Sequence, residues 1–103
     1  MEIKIVDIND LDCLFELNKL YGNDKTKEDI ENEIKTSKNK IICIAYIDNI
    51  AVGFCSGLLK QSIYNSNCGV DIREFFVKDG YGHKGIEMEL VKYLEQEAIS
   101  RNI

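Results

Sequence analysis

The stretch from Phe75 to Val91 constrains the fold most, because it predicts a buried strand, a glycine-rich turn and a helix in immediate succession. Gly80, Gly82 and Gly85 supply the turn. A helix start leaves backbone N–H groups without partners and carries the positive end of the peptide dipoles, so such a turn can hold a phosphate. Glycines also punctuate ordinary strand-to-helix connections, so the stretch alone leaves an anion site and a plain connection both open.

Length and composition indicate a single domain, residues 1–103, of ordinary globular character, with 45% hydrophobic and 30% charged residues. The net charge of −5 argues against nucleic-acid binding as the main task, because that affinity depends on clustered Lys and Arg. No apolar run reaches the length of a membrane span, and the N-terminus resembles no secretory signal. We therefore expect no nucleic-acid or membrane partner and a cytoplasmic location.

The cysteines give no sign of a metal or disulfide framework. Cys13, Cys43, Cys55 and Cys68 form no C-x-x-C pair, and three of them lie in apolar stretches, so we predict reduced core residues. A nucleophilic role for one of them stays open, although no partner base is evident. His83 is the single histidine, and we expect no metal site.

Hydrophobic periodicity predicts four strands and three helices. The turn Asp48-Asn49 joins the two middle strands into a hairpin. Gly53 and Gly57 predict a bulge, a bend or a close approach to the backbone of the third strand. The predicted elements are a strand at 2–7, a helix capped at Asn9 with Asp12 as its partner and ended by Gly22, a helix from Thr26 to about Ser37, strands at 41–47, 50–59 and 69–77, and a helix from Gly85.

This order of elements resembles the N-terminal two thirds of the GNAT N-acetyltransferases, and three local motifs agree. Asp48-Asn-Ile-Ala-Val-Gly-Phe54 resembles the second hairpin of that family, Glu74-Phe-Phe-Val77 its fourth strand, and Tyr81-Gly-His-Lys-Gly-Ile86 its acyl-coenzyme A loop. The resemblance covers essentially the whole chain. It implies an α/β (α+β) fold with a mixed, mainly antiparallel sheet in the order β-α-α-β-β-β-α, ending before the fifth strand of the family.

The resemblance also implies an activity, the transfer of acetyl from acetyl-coenzyme A to a small-molecule or peptide amine. The residues it assigns to the cofactor are Gly82, His83, Lys84, Gly85 and Ile86, whose main-chain N–H groups would hold the diphosphate, and Phe76, Val77 and Lys78, whose free strand edge would pair with the pantetheine arm. Two positions depart from the pattern. Gly82 stands where the family has Arg or Gln, and Glu87 stands where it has Gly or Ala, so that its carboxylate would repel a diphosphate unless it points away.

Amine acetylation needs a base, and Glu74 resembles an acidic position that some family members use for this purpose. A strand carboxylate that faces solvent, or pairs with Arg73 or a lysine, is the equally open structural alternative. Asp71 is a weaker candidate, and Tyr81 is interpreted as an aromatic that packs on the helix start. At the level of function, three hypotheses compete: an acyltransferase, a catalytically impaired coenzyme A-binding or interaction module of the same fold, and a small interaction domain without a ligand.

The resemblance leads to one further expectation. The chain ends where the family would continue into a fifth strand, so we expect an exposed edge on the fourth strand and an exposed apolar side on the last helix, including Leu90 and Leu94. An uncovered hydrophobic edge favours pairing with another chain. We therefore predict a homo-oligomer, most simply a twofold dimer.

Overall fold

The computed structural model describes residues 1–36, 39–59, 69–82 and 85–101. Within them the chain forms a four-stranded antiparallel sheet in the order β1-β2-β3-β4 with three α-helices. The elements are β1 (Glu2–Ile5), a 3-10 turn (Ile8–Asp10), α1 (Leu11–Tyr21), α2 (Lys27–Thr36), β2 (Lys40–Ile47), β3 (Ile50–Leu59), β4 (Val70–Val77) and α3 (Ile86–Arg101). The predicted order β-α-α-β-β-β-α is thus confirmed. None of the helices in the described ranges is long and apolar enough to cross a bilayer.

Two apolar layers attach the helices to opposite faces of the sheet, because successive strand residues point to opposite sides. On one face, α3 contributes its fully buried side chains Ile86, Leu90, Leu94 and Ala98. The prediction that Leu90 and Leu94 would be exposed is wrong, since β2 and β3 of the same chain cover this side of the helix. On the other face, α1 and α2 bury Leu14, Leu17 and Ile30 against Ile42, Ile44 and Phe54.

The capping residue predicted before α1, Asn9, is wrong by two positions. Asp7, rather than Asn9, provides a cap, and it caps the 3-10 turn that leads into α1: its side chain accepts a hydrogen bond from the Asn9 backbone at 2.8 Å, and its own backbone N–H donates to Asp10 at 2.9 Å. At the N-cap position of α1 itself, Asp10 makes no side-chain capping bond. The Tyr46 hydroxyl also donates to Asp10, at 2.7 Å. Asp and Asn are nearly equivalent as caps, so the sequence could not distinguish positions two residues apart.

The hairpin of β2 and β3 forms as predicted. Asp48 and Asn49 both have positive φ values, 50° and 66°, which is the backbone of a type I′ turn. Gly53 and Gly57 allow β4 to lie close to β3, because an added Cβ at Gly53 would lie 2.7 Å from the Phe76 carbonyl oxygen. At Gly57 it would lie 3.0 Å from a backbone oxygen of β4. The pairing shifts register beside both glycines, so bulge and close approach occur together.

The described cysteines are free thiols. Cys43 on β2 and Cys55 on β3 lie opposite each other in the sheet, and both are fully buried. Burial raises the pKa of Cys43 to about 12 and that of Cys55 to about 11. Thiols with such pKa values are unreactive near neutral pH, as expected for core residues. Cys13 is half-buried, and Cys68 lies outside the described residues.

Candidate active site

Glu74 lies in the middle of β4 at a change of register. Ser56 pairs with Glu74 while Gly57 pairs with Ile72, so Arg73 is an extra residue on β4. Such bulges bend a strand and redirect side chains, and they are frequent beside active sites. Arg73 turns to Asp71, at 3.0 Å, and the structure gives it no bond to Glu74.

The Glu74 carboxylate accepts four hydrogen bonds from separate parts of the fold. Its Oε1 accepts from the Ser56 hydroxyl at 2.8 Å and from the Lys40 ammonium at 3.3 Å. Its Oε2 accepts from the Asn23 side-chain amide at 2.8 Å and from the Lys25 ammonium at 3.1 Å. Glu33 of α2 binds both lysines, at 3.0 Å and 2.7 Å. We call these six residues, Asn23, Lys25, Glu33, Lys40, Ser56 and Glu74, the Glu74 network.

The surroundings of Glu74 favour its charged form. Burial alone would raise the pKa of the carboxyl, since only 14% of the side chain is exposed, but the Ser56 and Lys25 hydrogen bonds and the charge of Lys40 outweigh burial and hold the pKa below its ordinary value. Burial alone would likewise lower the pKa of Lys25, yet Glu33 and Glu74 raise it. In the resting network Glu74 is therefore ionised, and hydrogen bonds from the protein stabilise its carboxylate. A carboxylate whose pKa is lowered in this way is a weak base.

The end of α1 positions the loop side of this network. Gly22, with φ 94°, ends the helix in the left-handed conformation, and the Asn23 backbone then bonds back to the Asn18 carbonyl at 3.0 Å. The Asn23 side chain accepts the Lys25 backbone N–H at 3.0 Å while its amide reaches Glu74. The sequence signalled the helix end but not these contacts, because they depend on which strand residues face the loop.

Of the residues predicted to bind pantetheine, Phe76 and Val77 lie at the end of β4, and Lys78 follows its last residue. β4 is one of the two edge strands of the described sheet. Phe76 points to the same face as Glu74, about 7 Å further along the strand, and its ring packs on Tyr21 and Phe54. Val77 packs on the α3 face. The backbone N–H of Lys78 points towards β3, where it donates to the Val52 carbonyl at 2.8 Å.

The glycine-rich turn connects β4 to α3 as predicted. Gly80 and Gly85 have positive φ values, 91° and 77°, and α3 begins at Ile86 immediately after the second of them. At both glycines an added Cβ would meet nothing within 4 Å, so conformation rather than crowding requires glycine there. His83 and Lys84, also predicted for this site, lie outside the described residues.

Glu87 occupies part of the space over this turn. One of its carboxylate oxygens, Oε1, lies 2.9 Å from the position that a Cβ would take on Gly82. The carboxylate therefore faces the turn, where its charge suits the helix start but opposes a second anion. Among the described residues of this turn, the Glu87 carboxylate works against a bound diphosphate.

Replacing Glu87 with glycine or glutamine is expected to tighten coenzyme A binding about fivefold to tenfold, because removing one exposed like charge is worth about 1 kcal/mol. Glutamine keeps the shape, so it separates charge from crowding. Isothermal titration with coenzyme A measures the effect, and Glu89→Gln in the same helical turn is the control. Weaker binding by both variants would show that the Glu87 carboxylate stabilises the turn and does not repel coenzyme A.

An apolar pocket of about 360 Å³ lies at the opposite end of α1 from the Glu74 network. Its lining includes Cys13, Leu17, Ala51 and Lys78. Because Lys78 is among the residues predicted to bind pantetheine, this pocket borders the proposed cofactor site.

Neither a scan against protein-family models nor a search of curated proteins finds a match to the sequence. Solved structures do match in fold. A ribosomal-protein-alanine N-acetyltransferase from Brucella melitensis biovar Abortus 2308 aligns with a TM-score of 0.82 and 17% identity over 98% of this chain and 73% of its own. The acetyltransferase AAC(6')-Iy, in complex with a bisubstrate analogue, gives a TM-score of 0.80 and 18% identity over 98% of this chain and 73% of its own.

An aminoglycoside 6'-N-acetyltransferase complexed with coenzyme A gives a TM-score of 0.76 and 24% identity, over 99% of this chain and 57% of its own. These structures share the architecture of the GNAT acetyltransferases. The chain has the GNAT fold. The GNAT fold was predicted from element order and three motifs, and this prediction is confirmed.

Proposed function

We propose that this chain transfers an acetyl group from acetyl-coenzyme A to a primary amine. The observation that carries the proposal is the outer edge of β4, which leads directly into a left-handed glycine turn and the start of α3. A strand edge offers backbone hydrogen bonds to an extended amide chain, and a helix start offers N–H groups to a phosphate. Coenzyme A has both chemical features in one molecule.

Coenzyme A would supply an activated acetyl thioester, and the chain would hold and orient it. The backbone of Phe76, Val77 and Lys78 would pair with the pantetheine arm, as expected from the family. The diphosphate would lie on N–H groups from Gly82 to Ile86, the segment that includes His83 and Lys84. Glu87 must turn away from Gly82 for this to happen.

Glu74 would receive the proton of the acceptor amine in this proposal, directly or through water. In the resting network it is already paired with two ammonium groups. An acceptor that arrives as an ammonium would therefore replace a partner of the same chemistry. The similar structures are named for aminoglycoside and alanine acetylation, so we propose a small-molecule or peptide amine as acceptor in the cytoplasm.

A catalytically impaired coenzyme A-binding module is the second candidate function. Two observations favour it specifically. The interactions of Glu74 hold its pKa below the ordinary value, which weakens it as a base, and Glu87 faces the turn where the diphosphate would lie. Such a chain would bind the thioester without turning it over.

Two measurements separate the candidates. Thermal unfolding with acetyl-coenzyme A at about one hundred times its Kd should raise the Tm by roughly 10–20 °C, whereas a domain without a ligand site should not respond. Thiol release in the presence of a panel of primary amines then distinguishes transfer from binding alone. Stabilisation without amine-dependent thiol release would support the binding module, and no stabilisation would refute both.

The part of the β4 edge before Glu74, away from the residues proposed for pantetheine, also supports the proposed homo-oligomer. Ile72 on this strand has 42% of its surface exposed, and an edge strand with exposed apolar residues favours pairing with a second chain. The contribution expected from α3 is not present, since Leu90 and Leu94 are buried within one chain.

Ile72→Lys is expected to convert a dimer into a monomer, because a charged residue at the strand edge opposes edge-to-edge pairing. Sedimentation velocity at micromolar concentration measures the change. Met88→Lys, at an exposed apolar residue of α3, is the control and should leave the dimer intact. A monomeric wild-type chain with a cooperative melt would refute the oligomer.

A further inference from the structure

The Glu74 network already holds two amines on the proposed proton acceptor. The Lys25 nitrogen lies 3.1 Å from Glu74 Oε2, and the Lys40 nitrogen lies 3.3 Å from Glu74 Oε1. If Glu74 accepts the proton of an acetyl acceptor, these two lysine side chains are themselves possible acceptors, because they already contact Glu74. This reasoning rests on the proposed function.

Lys25 is better placed for reaction than Lys40. Lys25 lies in the connection between α1 and α2, and 26% of its side chain is exposed. Lys40 begins β2, has only 14% of its side chain exposed and binds Glu33 at the shorter distance of 2.7 Å. The Lys25 side chain is therefore more accessible to a thioester, and its backbone is not part of a strand.

We propose that Lys25 is acetylated within its own molecule, on the edge of β4 where Glu74 lies. Glu74 takes one proton from the Lys25 ammonium, and the neutral amine attacks the carbonyl carbon of the thioester. The C–N bond forms as the C–S bond breaks. Coenzyme A leaves as a thiolate that takes up the second proton of the nitrogen, while the proton on Glu74 passes to solvent.

Acetylation would change the network as well as Lys25. The modified nitrogen carries no charge, so Glu74 would retain Lys40, Ser56 and Asn23 as partners and lose one cation. The Lys25 hydrogen bond is one of the interactions that keep the pKa of Glu74 low, so its loss moves that pKa upward. Self-acetylation would thereby turn a weak base into a stronger one.

Peptide mass spectrometry of the full chain incubated with acetyl-coenzyme A tests the proposal. Lys25 should be acetylated at least tenfold faster than Lys35, a control lysine on α2 whose side chain is 55% exposed. The rate constant should not change with protein concentration, because the reaction is intramolecular. With acetic anhydride, which needs no binding site, the order should reverse, since Lys25 is ion-paired and less exposed.

Two variants and one control variant complete the test. Glu74→Gln should reduce Lys25 acetylation to the level of Lys35. In the chain without coenzyme A, Lys25→Gln imitates acetyl-lysine, and carbon-detected NMR should show a higher pKa for Glu74, whereas Lys35→Gln should leave that pKa unchanged. This second readout does not depend on turnover.

Lys25 acetylation no faster than that of Lys35, or a rate proportional to protein concentration, would overturn the inference. If coenzyme A binds and free amines are acetylated while Lys25 is not, the inference fails and the proposed function stands. If the chain neither binds coenzyme A nor releases thiol, both fail.

Discussion

Replacing Glu74 with alanine is expected to lower the free energy of unfolding by about 3 kcal/mol and to abolish acetyl transfer. Removing one partner of a largely buried ion pair leaves the other charges uncompensated, which typically costs about 3–5 kcal/mol. Here Lys25 and Lys40 would have to share Glu33, and Ser56 would lose its acceptor. For a domain of this size the Tm should fall by roughly 15 °C.

Urea unfolding of Glu74→Ala and of a matched control provides the measurement. Glu31→Ala is the control, because Glu31 pairs with Lys35 in an exposed pair of neighbouring helical turns, worth about 0.2–0.5 kcal/mol. Equal destabilisation by the two variants would show that the Glu74 network adds no more than a surface pair.

The contribution of Glu74 should also depend on pH with a defined sign. Its pKa is lower in the folded chain than in the unfolded chain, where it is about 4.3. The stabilisation is therefore fully present above that value and is lost as the pH falls through the folded pKa. The stability difference between the wild type and Glu74→Gln should be constant from pH 5 to pH 8 and should shrink below about pH 4. A difference that persists at lower pH would exclude charge as its source.

Gly85→Val is expected to weaken coenzyme A binding at least a hundredfold. Gly85 has a φ of 77°, which a β-branched residue adopts only with strain, and it immediately precedes the first residue of α3. A changed backbone there would turn the N–H groups of the helix start away from a diphosphate, and the added side chain would block close approach. Isothermal titration with coenzyme A measures the loss.

Gly22→Val is the matched control for Gly85→Val. Gly22 has a φ of 94° at the end of α1, and an added Cβ meets nothing within 4 Å at either glycine. Both variants should lose stability by about 1–3 kcal/mol from backbone strain. Only Gly85→Val should lose affinity, and wild-type affinity in that variant would place the ligand elsewhere.

Local signals in the sequence predicted the fold because each one acts within a few residues. Gly22 ends α1 in the left-handed conformation, and Asp48-Asn49 forms the tight turn of the hairpin. Thr26 and Asp29 exchange hydrogen bonds at the start of α2, at 3.0 Å and 3.1 Å, as a capping pair predicts. Such features require no knowledge of which strands pair.

The Glu74 network could not be predicted in the same way. Glu74 meets Ser56 because of the register between β3 and β4, and that register shifts by one residue beside Gly57. Lys25 and Asn23 reach Glu74 across about fifty positions of sequence, after the chain has turned at the end of α1. A pairing with a lysine was one of two alternatives for Glu74, but its partners follow only from the assembled sheet. The direction of the Glu87 side chain likewise depends on the turn opposite it.

Coenzyme A titrated into the ¹⁵N-labelled chain, followed by two-dimensional amide NMR, tests the central claim most directly. Saturable shifts are expected at the amides of Gly82, Gly85 and Ile86 and along the β4 edge from Phe76 to Lys78, with Ile3 and Ile5 on β1, the opposite edge strand, unchanged. An absence of saturable shifts at millimolar coenzyme A, or shifts confined to β1, would contradict the proposed site.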